Sequence, residues 1–445
     1  ITTSTAPAIT TTIPITTTTS TVPISTTTNT SVFDTVYYVD ATSGSDGNSG
    51  LTPELAFQTL TKVNSLSLNP NEAVLFKADE EWEGTLTPGN SGTDGNSIVY
   101  GAYGTGSKPK IYASEVVSGW TLHSGNIYKA TVADDVTQLF IDGNRAQLAR
   151  MPKSGYYYTT GATTTTITST DLSSEANDYY AGATCVIRGN QFIMRSKDVT
   201  ASTGQTITIW TDIHFSNSSY ASGFFMCNKL EFLSQAGEWF YDEGNNTLYA
   251  WMPNSDSPNN YVVRASTLDH NVSIDHKDYV SIENLDLLHA SYAGVSANEC
   301  NYVSVINTDI ISPDIQGIDI IGVSEGAYLA NNYIYQANGN AILTRSSNAT
   351  INDNTVDETG LVENINKSTY LVGGNGGTAI KQTGVNPVIK YNTITNSAYC
   401  GINWQGINAD ISYNYIDNSC LYLDDGGGIY TYSGGSYPNN SRARG

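Results

Sequence analysis

The sequence predicts an all-β fold, a right-handed parallel β-helix whose short strands wind into a stack of coils. Three observations predict it. Six segments repeat one pattern: Val280-Ser-Ile-Glu-Asn284, Val303-Ser-Val-Ile-Asn307, Tyr328-Leu-Ala-Asn-Asn332, Thr350-Ile-Asn-Asp-Asn354, Val388-Ile-Lys-Tyr-Asn392 and Asp410-Ile-Ser-Tyr-Asn414. Their terminal asparagines lie 23, 25, 22, 38 and 22 residues apart. Such a period, with one long interval, is the mark of a solenoid carrying one insertion. A second column (Gly294-Val295, Gly317-Ile318, Ala341-Ile342, Ala379-Ile380, Gly401-Ile402, Gly428-Ile429) recurs at 23, 24, 38, 22 and 27, sharing the 38-residue jump. Finally, each unit alternates apolar and polar residues with period two, as strands do and helices do not. Right-handed crossovers are the default between parallel strands. The repeated Asn fits a turn inside each coil, where its side chain bonds backbone groups and its φ turns positive.

Along the chain, residues 1–33 are uncharged and rich in Thr, Ser, Ile and Pro. That composition reads as a linker or stalk placed outside the cell, or as an extended strand donated to another subunit. Residues 34–115 are expected to hold the N-terminal cap and first coils. Within them Thr52-Pro53-Glu54 reads as a helix start, and Ala56, Phe57, Leu60, Val63 and Leu66 as an apolar stripe running to about residue 68, a helix covering the open end of the stack. Ala73–Phe76, Ser97–Tyr100 and Lys110–Tyr112 read as the first strands. Residues 116–262 lose the period and hold four of the six Trp, which predicts an inserted β-rich module. Coils fill 263–445. The stretch Ser441-Arg-Ala-Arg-Gly445 stops mid-coil and the chain begins without Met, so a trimmed form of a longer protein is expected.

Composition narrows the partners. The 445 residues carry 20 Lys plus Arg against 42 Asp plus Glu, a net charge of −22. Nucleic acid and anionic membranes need Lys/Arg to displace counterions, so both are disfavoured. No apolar run is long enough to span a bilayer. A surface with 30 Tyr and 40 Gly but only 14% charged residues suits a hydroxyl-rich partner such as polysaccharide, although solenoids favour these residues in any case. Five scattered Cys and five His show no metal-ligand spacing.

The sharpest local feature is Leu421-Tyr-Leu-Asp-Asp-Gly-Gly-Gly-Ile-Tyr-Thr431, where two carboxylates precede three glycines and Tyr430 and Tyr432 alternate outward. Neighbouring carboxylates are the equipment of glycoside hydrolysis, about 5–5.5 Å apart in retaining and about 6.5–9.5 Å apart in inverting enzymes. Asp425, with Asp424 beside it, is the candidate. The extra segment of the 38-residue interval, 357–377, offers Asp357, Glu358 or Glu363 as its partner. Between them Lys381, Gln382, Asn403, Trp404 and Gln405 form a candidate sugar-binding surface, with Trp404 as aromatic platform. No cofactor is required. Calcium held by Asp424 and Asp425 is the alternative, in a lyase with a Lys base.

The opening motifs, Gly-Ser-Asp-Gly47 followed by Thr52-Pro-Glu-Leu-Ala-Phe-Gln-Thr-Leu60, then Val74-Leu-Phe-Lys77 and Tyr100-Gly-Ala-Tyr-Gly-Thr-Gly106, resemble those of secreted pectate-lyase-like β-helix proteins. Gly237–Trp251 and Asp425-Gly-Gly-Gly-Ile-Tyr-Thr431 resemble β-helix glycoside hydrolases of the xylosidase, xylanase and α-L-fucosidase type. The resemblance covers roughly 36–445 and implies catalytic carboxylates on late coils, with Asp425 the match. Gln405 stands in Gly401-Ile-Asn-Trp-Gln-Gly406, where β-xylosidases would carry an acidic nucleophile, which departs from that pattern. The expectation is an extracellular, secreted or cell-surface protein hydrolysing a polysaccharide. Its rival is a structural adhesin or filament subunit assembling through residues 1–33.

Overall fold

The computed structural model describes residues 33–173, 175–190, 192–210, 223–361 and 376–431. The Thr-rich segment up to residue 32, Glu363, Tyr432 and the last residues lie outside that set. Three parallel sheets form the sides of one stack. Face I has nine strands, beginning with Thr35–Val39, Glu72–Lys77 and Ile98–Tyr103, continuing with Val280–Glu283 and ending at Asp410–Ser412. Face II has eight, from Glu81–Glu83 and Lys110–Tyr112 through Asp286–Leu288 to Tyr415–Asp417. Face III has seven: His270–Asp275, Ala293–Asn298, Gln316–Ile321, Ile342–Thr344, Ile380–Gln382, Ile402–Trp404 and Ile429–Tyr430. Each coil runs I, II, III. One Val, Leu or Ile per strand points inward, giving the continuous core of Ile282, Leu287, Val295, Val305, Ile310, Ile318, Ile351, Ile389 and Ile402.

The two repeated columns have separate physical causes. Glycine or alanine opens face III because the chain bends there against the core. A Cβ at Gly294 would stand 2.4 Å from Ile310 Cγ2, and one at Gly401 2.5 Å from Ile416 Cγ2. The asparagine column is two columns slipped by one residue. Asn284, Asn307, Asn331, Asp353, Tyr391 and Tyr413 carry the positive φ at the corner between faces I and II. The neighbouring Asn332, Asn354, Asn392 and Asn414 form the internal ladder instead. Each Nδ2 donates to the next Oδ1 at 2.9 Å. The same amides also bond the carbonyls of Val305, Leu329, Ile351 and Ile389. Sequence reading merged the two because both positions accept Asn, and the 25-residue interval marks the slip.

The N-terminal cap is shorter than expected. Thr52 makes no capping bond and leads only a 3-10 turn, Pro53–Leu55. Phe57 then runs extended, its N–H donating to Tyr38 and its carbonyl accepting from Asp40. The α-helix is Leu60–Asn64, capped by Thr59, whose side chain accepts from the Lys62 N–H. Leu60 and Val63 still close the core. Phe57 was drawn out of the helix by strand pairing, which saturates its backbone as well as a helical turn would.

Between Val116 and Val263 the strands pair almost wholly antiparallel and bury two clusters of their own, one around Trp239 and Leu248 and one around Phe224 and Phe232. This module leaves the stack after face II of one coil and returns at face III, so the stack closes over it: Ile98 pairs directly with Val280. It lies along the II–III corner. The Gln138 amide donates to the carbonyls of Ala290 and Ser312, Arg145 to the Gln336 carbonyl, and Phe140 stacks on His289 at 3.5 Å. Its far end reaches the last described coil, where Arg188 meets Asp424 at 2.6 Å. All five cysteines are free thiols, and no helix among the described residues is long and apolar enough to cross a membrane.

Candidate functional site

All three departures from the regular coil use the same corner. The module, the 361–377 segment and the Asn418–Gly428 loop each connect a face II strand to a face III strand. The module and the Asn418–Gly428 loop therefore stand beside face III, and its outward side chains form the floor of the site. Register fixes that column as Ser273, Ser296, Asp319, Leu343, Lys381, Asn403 and Tyr430. Although opposite the core, the column is shielded: Asp319 is 0% exposed, Asn403 2% and Lys381 6%.

Two groups in the column are strongly perturbed, Asp319 and Lys381. The neighbours of Asp319, Ile318 and Ile320, fill the core, which turns its carboxyl outward. The Tyr292 hydroxyl stands as a donor to it. Burial pushes its pKa up to about 6, against the opposing influence of Tyr292 and Arg345. A carboxyl that holds its proton near neutrality is equipped to act as a general acid. One strand on, Leu343 faces it, and Arg345, two residues further, is diagonal to Asp319 on one side and to Lys381 on the other. Burial first, then Arg345, brings the Lys381 ammonium down to about 8. Asn403, opposite Lys381, has a buried Oδ1 without a donor.

The residues singled out in the sequence distribute unevenly around this floor. Lys381, Asn403 and Tyr430 lie on the outward column, and half-buried Gln405 is on the same side, two residues past Asn403. Trp404 does not form a platform. It alternates inward with Ile402, is 1% exposed and packs in the core, so no sugar can stack on it. Gln382 is inward for the same reason, its amide donating to the Ser346 carbonyl. Asp425 is exposed on the triple-glycine loop, at φ 62, with its carbonyl held by the Tyr399 hydroxyl at 2.8 Å. The glycine after it is needed, since a Cβ on Gly426 would meet Cys420 Sγ at 2.8 Å. Asp424 is committed to Arg188 of the module. Glu358 turns back to the preceding coil, where it accepts from the Gln336 amide at 2.8 Å, and so points away from Asp425. Asp357 is spent on Thr395 and Asn396. Glu363 and Tyr432 lie outside the described residues.

Strand spacing decides which carboxyls can cooperate. The coils of Asp319 and Asp425 are four strand spacings apart, about 19 Å, beyond either geometry of glycoside hydrolysis. The 361–377 segment leaves the stack midway, two spacings or about 10 Å from each. The donor set does not suit calcium. Asp424 faces a guanidinium, and among the described residues no group of three His, Cys, Asp or Glu converges on one point.

Residues 197–253, inside the module, match the family described as the GH141 insertion domain, and residues 270–443 match the right handed β-helix region. The chain folds as a right-handed parallel β-helix, and part of its inserted module is similar to that insertion domain. The β-helix with its insertion superposes on a solved glycoside hydrolase at a TM-score of 0.59 and 13% identity, over 89% of this chain and 96% of that one. It superposes on XylC, solved in complex with xylose, at a TM-score of 0.58 and 15% identity, over 86% of this chain. The match spans 62% of the length of XylC. The pectate lyase Pel9A follows at a TM-score of 0.39 and 12% identity. No curated protein matches the sequence. These identities make the likeness one of architecture, and with the family matches they bear out the resemblance to β-helix glycoside hydrolases.

Asp319 was the residue of this floor that sequence reading passed over. The signal was present in the second repeat column: the residue after each Gly/Ala-Ile pair is Ser296, Asp319, Leu343, Lys381, Asn403 and Tyr430, the outward ladder in order.

Proposed function

We propose that this β-helix is an extracellular carbohydrate-active enzyme that hydrolyses glycosidic bonds of a polysaccharide lying along face III, beside the inserted module. The observation that carries the reading is Asp319, a shielded carboxyl on the floor of that face, its pKa raised to about 6 by burial. In this role its proton passes to the leaving glycosidic oxygen as the bond breaks. The second carboxylate is assigned to the 357–377 insertion, where Glu363 is the candidate from the sequence, while Asp425, about 19 Å away, stays outside the reacting pair. Lys381, Asn403, Gln405 and Tyr430 hold the sugar. Similar architecture in a glycoside hydrolase and in XylC supports the reaction class.

The test is a digestion screen of plant and microbial polysaccharides with the full chain, Asp319→Asn and Asp425→Asn. Loss of at least a hundredfold in rate by Asp319→Asn, with an unchanged circular dichroism spectrum, is the expected result. Unaltered turnover removes Asp319 from the mechanism, and a loss confined to Asp425→Asn moves the chemistry to the glycine loop.

One observation favours a second reading. A lysine lowered to about 8 beside an arginine is the pairing that β-elimination requires, a base next to a cation that stabilises the developing enolate. A lyase would yield unsaturated, ultraviolet-absorbing ends instead of saturated reducing sugars, so product absorbance separates the two.

A further inference from the structure

The outward column of face II breaks its charge order at one place. Register sets Glu81, Lys110, Asp286, Asp309 and Tyr333 in line on successive strands. Lys110 turns to Glu81 at 2.8 Å, and Lys108 reaches over to Asp309 at 2.7 Å. Neither lysine closes an ion pair with Asp286, which keeps a buried Oδ1 without a donor. Its neighbour in the column is a second carboxylate, one strand spacing or about 4.8 Å away. Two carboxylates that close do not both ionise without cost. We propose that Asp286 and Asp309 share one proton, that this proton fastens the seam where the stack closes over the inserted module, and that the seam loosens when the proton leaves.

The place of the pair in the fold turns it into a device. Lys110–Tyr112 is the last face II strand before the module, Asp286–Leu288 is the first after it, and the two pair across the seam. The Asp286 N–H donates to the Pro109 carbonyl at 2.9 Å, between the two lysines. Lys108 then joins Asp309 across 201 residues of sequence. With one proton the pair carries a single negative charge, which Lys108 balances, and the Asp286 hydroxyl donates to the Asp309 carboxylate in a charge-assisted bond. Once the proton passes to solvent, two half-buried charges stand opposite each other with one cation between them. The flanking groups do not supply another. Lys110 is committed to Glu81, Tyr112 lies beneath the Arg264 guanidinium at 3.9 Å, and Tyr333 stands beyond Asp309 with its hydroxyl pushed up to about 12 by burial. Burial first, then Asp309, pushes the Asp286 carboxyl up to about 7, against Lys108 and Lys110. The unfolded carboxyl ionises near 3.8, so the fastening is complete below about pH 4 and is lost as pH rises to about 7.

The experiment is hydrogen–deuterium exchange of the full chain from pH 4 to pH 8, read by mass spectrometry and corrected for the intrinsic pH dependence of exchange. The peptides followed are those covering 110–112 and 286–288, with Thr393–Thr395 of the same face as reference. In the parent, the seam should open at least ten times more readily at pH 8 than at pH 5, while the reference changes less than about twofold. Asp286→Asn keeps the shape and cannot ionise, so it should remove that pH dependence. Lys108→Met takes away a cation that opposes the rise, so it should move the change to higher pH. The same pH ratio at seam and reference, a dependence retained by Asp286→Asn, a change left in place or moved to lower pH by Lys108→Met, or no exchange from the seam at any pH would each overturn the proposal. Should Asp286→Asn fail to fold, the parent and Lys108→Met decide between them.

Discussion

Two ladders climb the same stack and treat their polar side chains in opposite ways. At the I–II corner, Asn332, Asn354 and Asn392 are buried in series, and each amide bonds the next asparagine, ending at half-buried Asn414, and a carbonyl of an adjacent coil. On face III, the equally repeated column of Asp319, Lys381 and Asn403 is as thoroughly shielded, yet Asn403 keeps an acceptor without a donor and Asp319 is held far from its usual charged form. Repetition and burial are common to both. Only saturation differs, and an unsaturated buried polar group carries a desolvation cost that a purely structural ladder has no reason to keep. The difference separates these two ladders, although Asn352 on face I and Asp286 on face II also keep a buried acceptor without a donor.

Breaking the inside of that comparison should have the largest effect. Trp404→Ala removes the largest fully buried side chain of the solenoid and should cost roughly 4 kcal/mol in denaturant unfolding. A loss below about 1 kcal/mol would return Trp404 to the surface, where it was first expected. Asn354→Ala strands the Leu329 carbonyl and the Asn332 and Asn392 amides, at about 3 kcal/mol, and should leave cleavage per folded molecule unchanged.

On the other ladder the sign reverses. The unfolded Asp319 ionises near 3.8 and the folded one at about 6, so the unfolded state releases its proton first and stability falls as pH rises from about 4 to about 6. Asp319→Asn should therefore match the parent at pH 4 and exceed it by on the order of 2 kcal/mol at pH 8. Equal unfolding midpoints at both pH values would show that the carboxyl is not shielded. The smallest effect belongs to the exposed Arg188–Asp424 pair, where Arg188→Ala should cost less than about 1 kcal/mol, and less still in high salt.

Much of the architecture was legible because the stack must bury an apolar residue at fixed intervals, and Ile310, Ile334, Val356 and Ile394 obey that rule. What stayed hidden was decided within a single residue. Asn307 and Asn332 look equivalent in sequence, yet one turns the chain and the other joins the ladder. Trp404 reads as surface until its parity with Ile402 is fixed. Asp319 sits among isoleucines in Ile318-Asp-Ile-Ile321, a setting that suggests core, and only the register of seven strands turns it outward. Asp425 drew notice through its glycines, which answer to a tight turn over Cys420. The 361–377 insertion was readable as a length, while the residues that settle its chemistry lie beyond those described.

The module's two ends meet at Ala113, whose carbonyl accepts from both Thr267 and Leu268. Some 150 residues thus enter and leave the stack through one narrow port, and the coils on either side join as if nothing intervened. The entropy of closing so long an excursion grows only with the logarithm of its length, about 0.6 kcal/mol for each doubling. The module can accordingly be enlarged, trimmed or exchanged while the scaffold keeps its pitch, so the wall above face III can be re-cut for a new polymer without moving a residue of the floor.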